Sequence, residues 1–426
     1  MPSYLLTLVF AAFLVASLAV RLWLASRQAR HVALHRGSVP SAFAGRVTLG
    51  AHQRAADYTL ARLRFGLIMT AFGAAVLLGW TLLGGLDRLN ALLLHFARPA
   101  LGDLGYQLAL LAAFATIGLL LELPFDAWNT FRLEQRHGFN RSTPRLWLAD
   151  HAKGVAVALL LGGPIAALVL WLMGAAGPAW WLWAWAAWVA FNLLVLVLYP
   201  TVIAPLFNKF RPLEDAALTS RVEALMARCG FAAKGLFVMD GSRRSAHANA
   251  YFTGLGAAKR VVFFDTLLAK LSPPEVEAVL AHELGHFKHR HVAKRIVLLF
   301  ALSLAGFALL GALSSQAWFY TGLGVRPNLE APNDALALML FLLVGPVFSF
   351  FVTPFAAGLS RRHEFEADRY ACAQTSAHEL GGALLKLYED NASTLTPDRL
   401  YVRFYYSHPP ASERLAAMRA LPGGAA

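Results

Sequence analysis

Of the 426 residues, 58% are hydrophobic and only 15% are charged, and the mean hydropathy is positive. That balance excludes an ordinary soluble globular protein and describes a membrane protein. The formal net charge of +13 fits basic loops facing anionic lipid headgroups. No basic run is interleaved with aromatics as in a recognition module, so no nucleic-acid partner is expected.

Apolar runs long enough to cross a bilayer, roughly 20 residues each, occur at Leu5–Leu24, Phe65–Leu83, Tyr106–Leu121, Val155–Met173, Ala179–Leu198, Ile296–Leu313 and Leu336–Ala356. The first has no basic segment ahead of it and carries Arg21, Arg27 and Arg30 at its far end, so it reads as a retained anchor rather than a cleaved signal. Glu122 and Asp126 close the third early. The block "AWWLWAWAAW" (Ala179–Trp188) reads as an interfacial anchor.

Basic residues set the orientation. With the N-terminus outside, the external loops hold only Arg88, Arg98 and Arg326, and nearly all other Lys and Arg fall on the cytosolic side. Cys229 and Cys372 lie on that side too, where a structural disulfide is not expected, and their spacing is not that of a zinc site. The glycosylation patterns at Asn140 and Asn391 also fall there and read as chance matches.

The only sizeable polar segment lies between the fifth and sixth runs. Leu213–Cys229 has helical spacing and ends at Gly230; "GLFVMD" (235–240), "ANAYFTG" (248–254) and "RVVFFD" (260–265) read as a small sheet of about three strands, the last two joined by the turn "GLGAAK". Ser272-Pro-Pro-Glu275 has capping-box spacing and starts a helix.

That helix carries "EAVLAHELGHFKHRH" (277–291), in which His282 and His286 share a face. Two neutral imidazoles one turn apart can bind one tetrahedral Zn²⁺, and Glu283 can take a proton from an attacking water. His289 falls on the same face but would have to bridge two turns, so it is not expected to be a ligand. A catalytic zinc needs a third protein ligand. In "LSRRHEFEADRYACA", Glu364 and Asp368 share a helix face and Glu366 points away. Glu364 fits the third ligand and Asp368 an acceptor from a ligand imidazole. The plainer alternative is a solvated helix with Arg361 and Arg362 paired to these acids.

Together with "LPFDAWNTFRLEQRHGFNRST" (123–143), "SAHANAYFTG" (245–254) and "YSHPPASERL" (406–415), these motifs in this order resemble the type I CAAX prenyl protease family of integral-membrane zinc metalloproteases, from about residue 60 to 420. The resemblance implies a mainly α polytopic protein, with seven transmembrane helices around a water-filled chamber and a small α+β zincin-like domain. It assigns His282, His286 and Glu364 to one Zn²⁺ per chain, Glu283 to the general base, Asp368 to the E-x-x-x-D acid, Asn249 to the substrate-binding edge strand, and His408 and Arg414 to the zinc neighbourhood, His408 at the oxyanion and Arg414 toward the substrate. His363 and Glu366 depart from the residues more common at their positions.

The expected division of the chain is 1–204 for spans one to five, 205–294 for the zincin-like part, 295–358 for spans six and seven, and 359–426 for the rest of the catalytic part. The expected partners are membrane lipids and a peptide or protein substrate, lipid-modified or not. The Ala-, Leu- and Arg-rich composition suggests a bacterial cell membrane with the catalytic side cytosolic, which sets a prenylated substrate in question. Two other readings exist: a heat-shock membrane metalloprotease, which has fewer spans, and a non-catalytic channel or transporter, against which the intact His282, Glu283, His286 and Glu364 argue.

Overall fold

The computed structural model describes residues 2–231, 235–253 and 260–421. Among these, seven helices are long and apolar enough to cross a membrane: Ser3–His35, Leu49–Trp80, Arg98–Glu134, Pro144–Ala175, Gly177–Phe207, His291–Ser314 and Asp334–Gln374. The seven apolar runs fall one on each. Only the second overshoots its helix, because the chain turns at Gly84, where φ is +75°.

These helices are longer than the runs that mark them, reaching 41 residues in the seventh. At 1.5 Å per residue that is about 60 Å, twice the hydrocarbon thickness of about 30 Å. The excess projects beyond the membrane: after one tighter turn at Phe350–Val352 the seventh helix continues through Glu364 and Asp368.

Neighbouring spans pack in a closed ring. The first meets the second, a short helix (Gly85–Phe96) bridges the second to the third, and the third, fourth, fifth, sixth and seventh follow in order until the seventh returns to the first. In the first six spans no more than 17% of the apolar window is buried by protein. Helices that are apolar yet this little covered have a face on lipid and another on the interior of the ring. The tryptophan-rich fifth helix packs in part on the sixth: Trp181 lies against Gly311, and Trp185 donates from Nε1 to Ser303 at 3.1 Å, while Trp183 and Trp188 are exposed.

Each end of the ring is closed by its own core. Away from the motif helix, Phe10, Tyr106, Leu170, Trp180, Leu310 and Leu340 from six spans meet in one cluster. At the other end a single core joins residues from 43–51, 218–284 and 371–418. The polar segment between spans five and six is therefore fastened to both the first loop and the C-terminal tail.

The sheet has four strands where three were expected: β1 (Phe210–Pro212), β2 (Leu236–Met239), β3 (Ala250–Thr253) and β4 (Arg260–Phe264), in the order β1-β2-β4-β3. β2 and β4 are parallel and the outer pairs antiparallel. β1 escaped the sequence reading because it has three residues and ends in proline, which only an edge strand tolerates. The turn expected at 254–259 lies outside the described residues. The helix Ala216–Arg228 starts on Asp215, which accepts from Leu218 N at 3.0 Å, and is followed by Gly230 at φ +66°.

Candidate metal centre

The motif helix, Pro273–Lys288, begins with the expected capping box. Glu275 Oε2 accepts from Ser272 N at 2.7 Å and from Ser272 Oγ at 2.9 Å, and Lys386 Nζ joins it at 2.7 Å. Burial disfavours the Glu275 charge, but these donors win and hold its carboxyl below the usual range.

This helix lies against the extension of the seventh span, Thr353–Gln374. Gly285 makes the contact possible: a Cβ there would sit 2.9 Å from Ala367 Cα and 3.1 Å from its carbonyl oxygen. About one turn before the crossing stand His282 and Glu364, and next to it stand His286 and Asp368.

His282 Nε2 and His286 Nε2 are 3.3 Å apart, and Glu364 Oε2 and Oε1 lie 3.4 Å from the one and the other. Ligands bonded tetrahedrally to zinc at about 2.0–2.1 Å are separated by about 3.3 Å. Glu364 Oε2 is buried and makes no hydrogen bond among the described residues. A buried carboxylate oxygen without a donor, facing two imidazole nitrogens at that spacing, fits a divalent metal ion. No other cluster of three or more such side chains occurs among the described residues.

Beyond the three converging groups, His282 Nδ1 lies 2.9 Å from Asp368 Oδ1. Arg414 grips the same carboxylate with both arms, Nε to Oδ2 at 2.8 Å and Nη2 to Oδ1 at 2.6 Å. Arg414, expected toward the substrate, is 6% exposed and binds Asp368 with both arms, and it also lines the cavity shared by Asn249 and His408. Burial resists a charged His282, yet the carboxylates of Asp368 and Glu364 beside it carry it up to about 9. His286 follows burial down to about 4. Burial, helped by the charge of Glu364, raises the carboxyl of half-buried Glu283.

His408 Nε2 lies 3.5 Å from Glu364 Oε1, and its Nδ1 meets Ser407 Oγ at 2.9 Å. Asn249 sits just before β3, not within it, yet its carbonyl still pairs with Phe264 N of β4 at 3.1 Å. Both line a cavity of about 780 Å³ whose other walls include Arg21, Gln28, Arg62, Leu384 and Tyr401. That size lies within the usual range for ligand clefts, about 300–1,000 Å³.

Several contributors were not singled out from the sequence. Asn391 Oδ1, the supposed glycosylation match, accepts from Ala248 N at 3.1 Å and contacts His247 Nδ1 at 3.2 Å. His247 stacks on Phe139 with ring centroids 4.3 Å apart, and Arg244 binds Asp150 through two bonds of 2.8 and 2.9 Å. The segment 123–143 is thereby tied to the strand that borders the cavity. His289 stays outside the ligand cluster and stacks on His291. Arg361 donates to the carbonyls of Val402 and Tyr406, and Arg362 reaches Glu366 at 3.6 Å, so neither pairs with Glu364.

Residues 28–209 match the family model described as CAAX prenyl protease N-terminal, five membrane helices, and residues 212–421 match Peptidase family M48. The chain is 37% identical to a CAAX prenyl protease 1 homolog of Arabidopsis thaliana, covering 74% of this chain and 73% of that one. It is 30% identical to CAAX prenyl protease 1 of Saccharomyces cerevisiae, over 98% and 96%. The crystal structure of S. mikatae Ste24p superposes with a TM-score of 0.91 at 29% identity, covering 97% of this chain and 98% of that chain. A multi-pass membrane protein in which two histidines and a glutamate converge at a spacing that fits a metal ion, matched along almost its whole length in sequence and in structure, belongs to peptidase family M48 as an integral-membrane metalloendopeptidase of the CAAX prenyl protease type.

Proposed function

We propose that the protein binds one zinc ion per chain through His282, His286 and Glu364 and cuts peptides near a membrane-anchored, prenylated C-terminal CAAX sequence. The observation that carries the reading is the spacing of the three ligand groups, 3.3 to 3.4 Å, beside a cavity that reaches into the ring of spans. When bound there, zinc supplies a Lewis acid that makes water nucleophilic near neutral pH.

The protein's own groups do the rest. Asp368 accepts the Nδ1 proton of His282, so that the Nε2 lone pair faces the cluster, and Arg414 holds Asp368 still. Glu283 takes the proton of the attacking water and returns it to the leaving amine; its raised pKa suits both transfers. His408 donates to the oxyanion that develops on the scissile carbonyl. The outer edge of β3, the last strand of the sheet among the described residues and approached from Asn249, pairs with the substrate backbone.

The ring explains the choice of substrate. A peptide tethered to lipid must enter a wet site without leaving the membrane, and helices with one face on lipid and one on an interior allow that. The excess of basic residues on one side supports a cytosolic site, and the Arg-rich composition supports a bacterial cell membrane. The zincin-like part comprises 205–294 together with 359–426, which share one core.

The test is cleavage of a fluorogenic CAAX peptide by detergent-purified protein, with and without a farnesyl group, beside Glu283→Gln and a zinc chelator. Activity that needs zinc, Glu283 and the farnesyl group supports the reading. Activity that survives Glu283→Gln sinks the mechanism, and equal cleavage of both peptides sinks the lipid preference.

A further inference from the structure

His286 has a partner that local sequence spacing does not reveal. Its Nδ1 lies 3.0 Å from Nδ1 of His291, whose Nε2 lies 2.9 Å from Glu366 Oε2. His291 is 2% exposed, and its ring stacks on His363 with centroids 4.0 Å apart and planes 11° from parallel. Residue 291 is five beyond 286, about 140° around a continuous helix, where the two rings could not meet. They meet because Arg290 adopts the left-handed conformation, φ 55° and ψ 33°, between the motif helix and the sixth span. A left-handed residue that is not glycine costs roughly 1–2 kcal/mol and persists only where its surroundings demand it.

The protons can run only one way along this chain. With Nε2 of His286 turned into the ligand cluster, its Nδ1 carries the ring proton and donates it; His291 accepts at Nδ1 and donates from Nε2 to the Glu366 carboxylate. His282 is held by a carboxylate directly, and His286 by a carboxylate at one remove.

We propose that His291, fixed by Glu366 and stacked on His363, is the positioning residue that sets the tautomer and ring orientation of His286 and so the metal affinity of the site. It rests on the assignment of His286 as a ligand. Loss of such a partner typically weakens metal binding 10–100-fold.

The experiment is chelator competition for Zn²⁺ on the full-length protein in detergent, with the visible spectrum of the Co²⁺-loaded protein as a second readout. His291→Phe, which keeps a ring over His363, is expected to weaken zinc binding 10–100-fold and to shift the cobalt bands. Glu366→Gln is expected to do both to a smaller degree. Unchanged affinity in a folded His291→Phe protein overturns the proposal, as does weaker binding with an unaltered cobalt spectrum. Should His291→Phe fail to fold, parental affinity in Glu366→Gln overturns it instead. His286→Ala that still binds zinc as the parent does removes the ligand assignment itself, an outcome distinct from failure in the His291 arm.

Discussion

Gly285 and Ala367 set the distance between the helix of His282 and His286 and the helix of Glu364: a Cβ on Gly285 would lie 2.9 Å from Ala367 Cα and 3.2 Å from Tyr370 Cβ. Backbone at that range cannot swing aside as the end of a long side chain would. Gly285→Ala gains about 1 kcal/mol of helix propensity but meets overpacking of about 1–3 kcal/mol. The expected result is a lower melting temperature and, because His282 and His286 move away from Glu364, less zinc per chain after dialysis. Parental zinc content and melting would mean the close approach is dispensable.

The Asp368–Arg414 pair makes a sharper claim. Both side chains are buried, and removing one partner of such a pair costs about 3–5 kcal/mol because the other charge is stranded. Arg414→Met alone should therefore be badly destabilised. Asp368→Asn combined with Arg414→Met should recover much of the loss, since asparagine can still accept from His282 Nδ1 without a charge. Thermal melts of the two single variants and the double complete the cycle, and additive losses would refute the coupling.

These two relationships differ in how visible they are in the chain. The histidine pair, the capping box and the Glu364–Asp368 spacing are local patterns on helices, where residues four apart must share a face, and the sequence is enough to find them. The partner of Asp368 lies 46 residues away, and the contact of His286 with His291 depends on one left-handed residue, so no periodicity marks either. Gly285 is visible as a letter inside the motif, yet its reason exists only once the second helix is against it. The short β1 and the outer halves of the spanning helices were missed for a related cause. Tertiary packing, not local propensity, makes them.

Asn391 anchors the approach to β3 by accepting from Ala248 N at 3.1 Å. Asn391→Ala leaves that buried amide unpaired, a loss of about 1–3 kcal/mol. Because the segment borders the cavity beside Asn249 rather than the ligand cluster, the expected kinetic effect is a raised KM with zinc content unchanged. A fall in zinc content with KM unaltered would show that the strand and the metal cluster are not separable.

Acid should loosen the motif helix through Glu275. Its folded-state pKa is depressed by Lys386 and Ser272, which outweigh burial. A depressed carboxylate adds stability that is fully present above its unfolded pKa, about 4.3, and that disappears as pH falls through the lower folded value. Glu275→Gln loses the ion pair and weakens the cap at every pH above that window, about 1–2 kcal/mol in all. Melting curves of the parent and the variant between pH 3 and pH 7 should therefore be well separated at the neutral end and converge in acid. Curves that stay parallel down to pH 3 would show that Glu275 does not hold the N-terminus of the helix through its charge, and the anchoring would then rest on Ser272 and the two prolines that follow it.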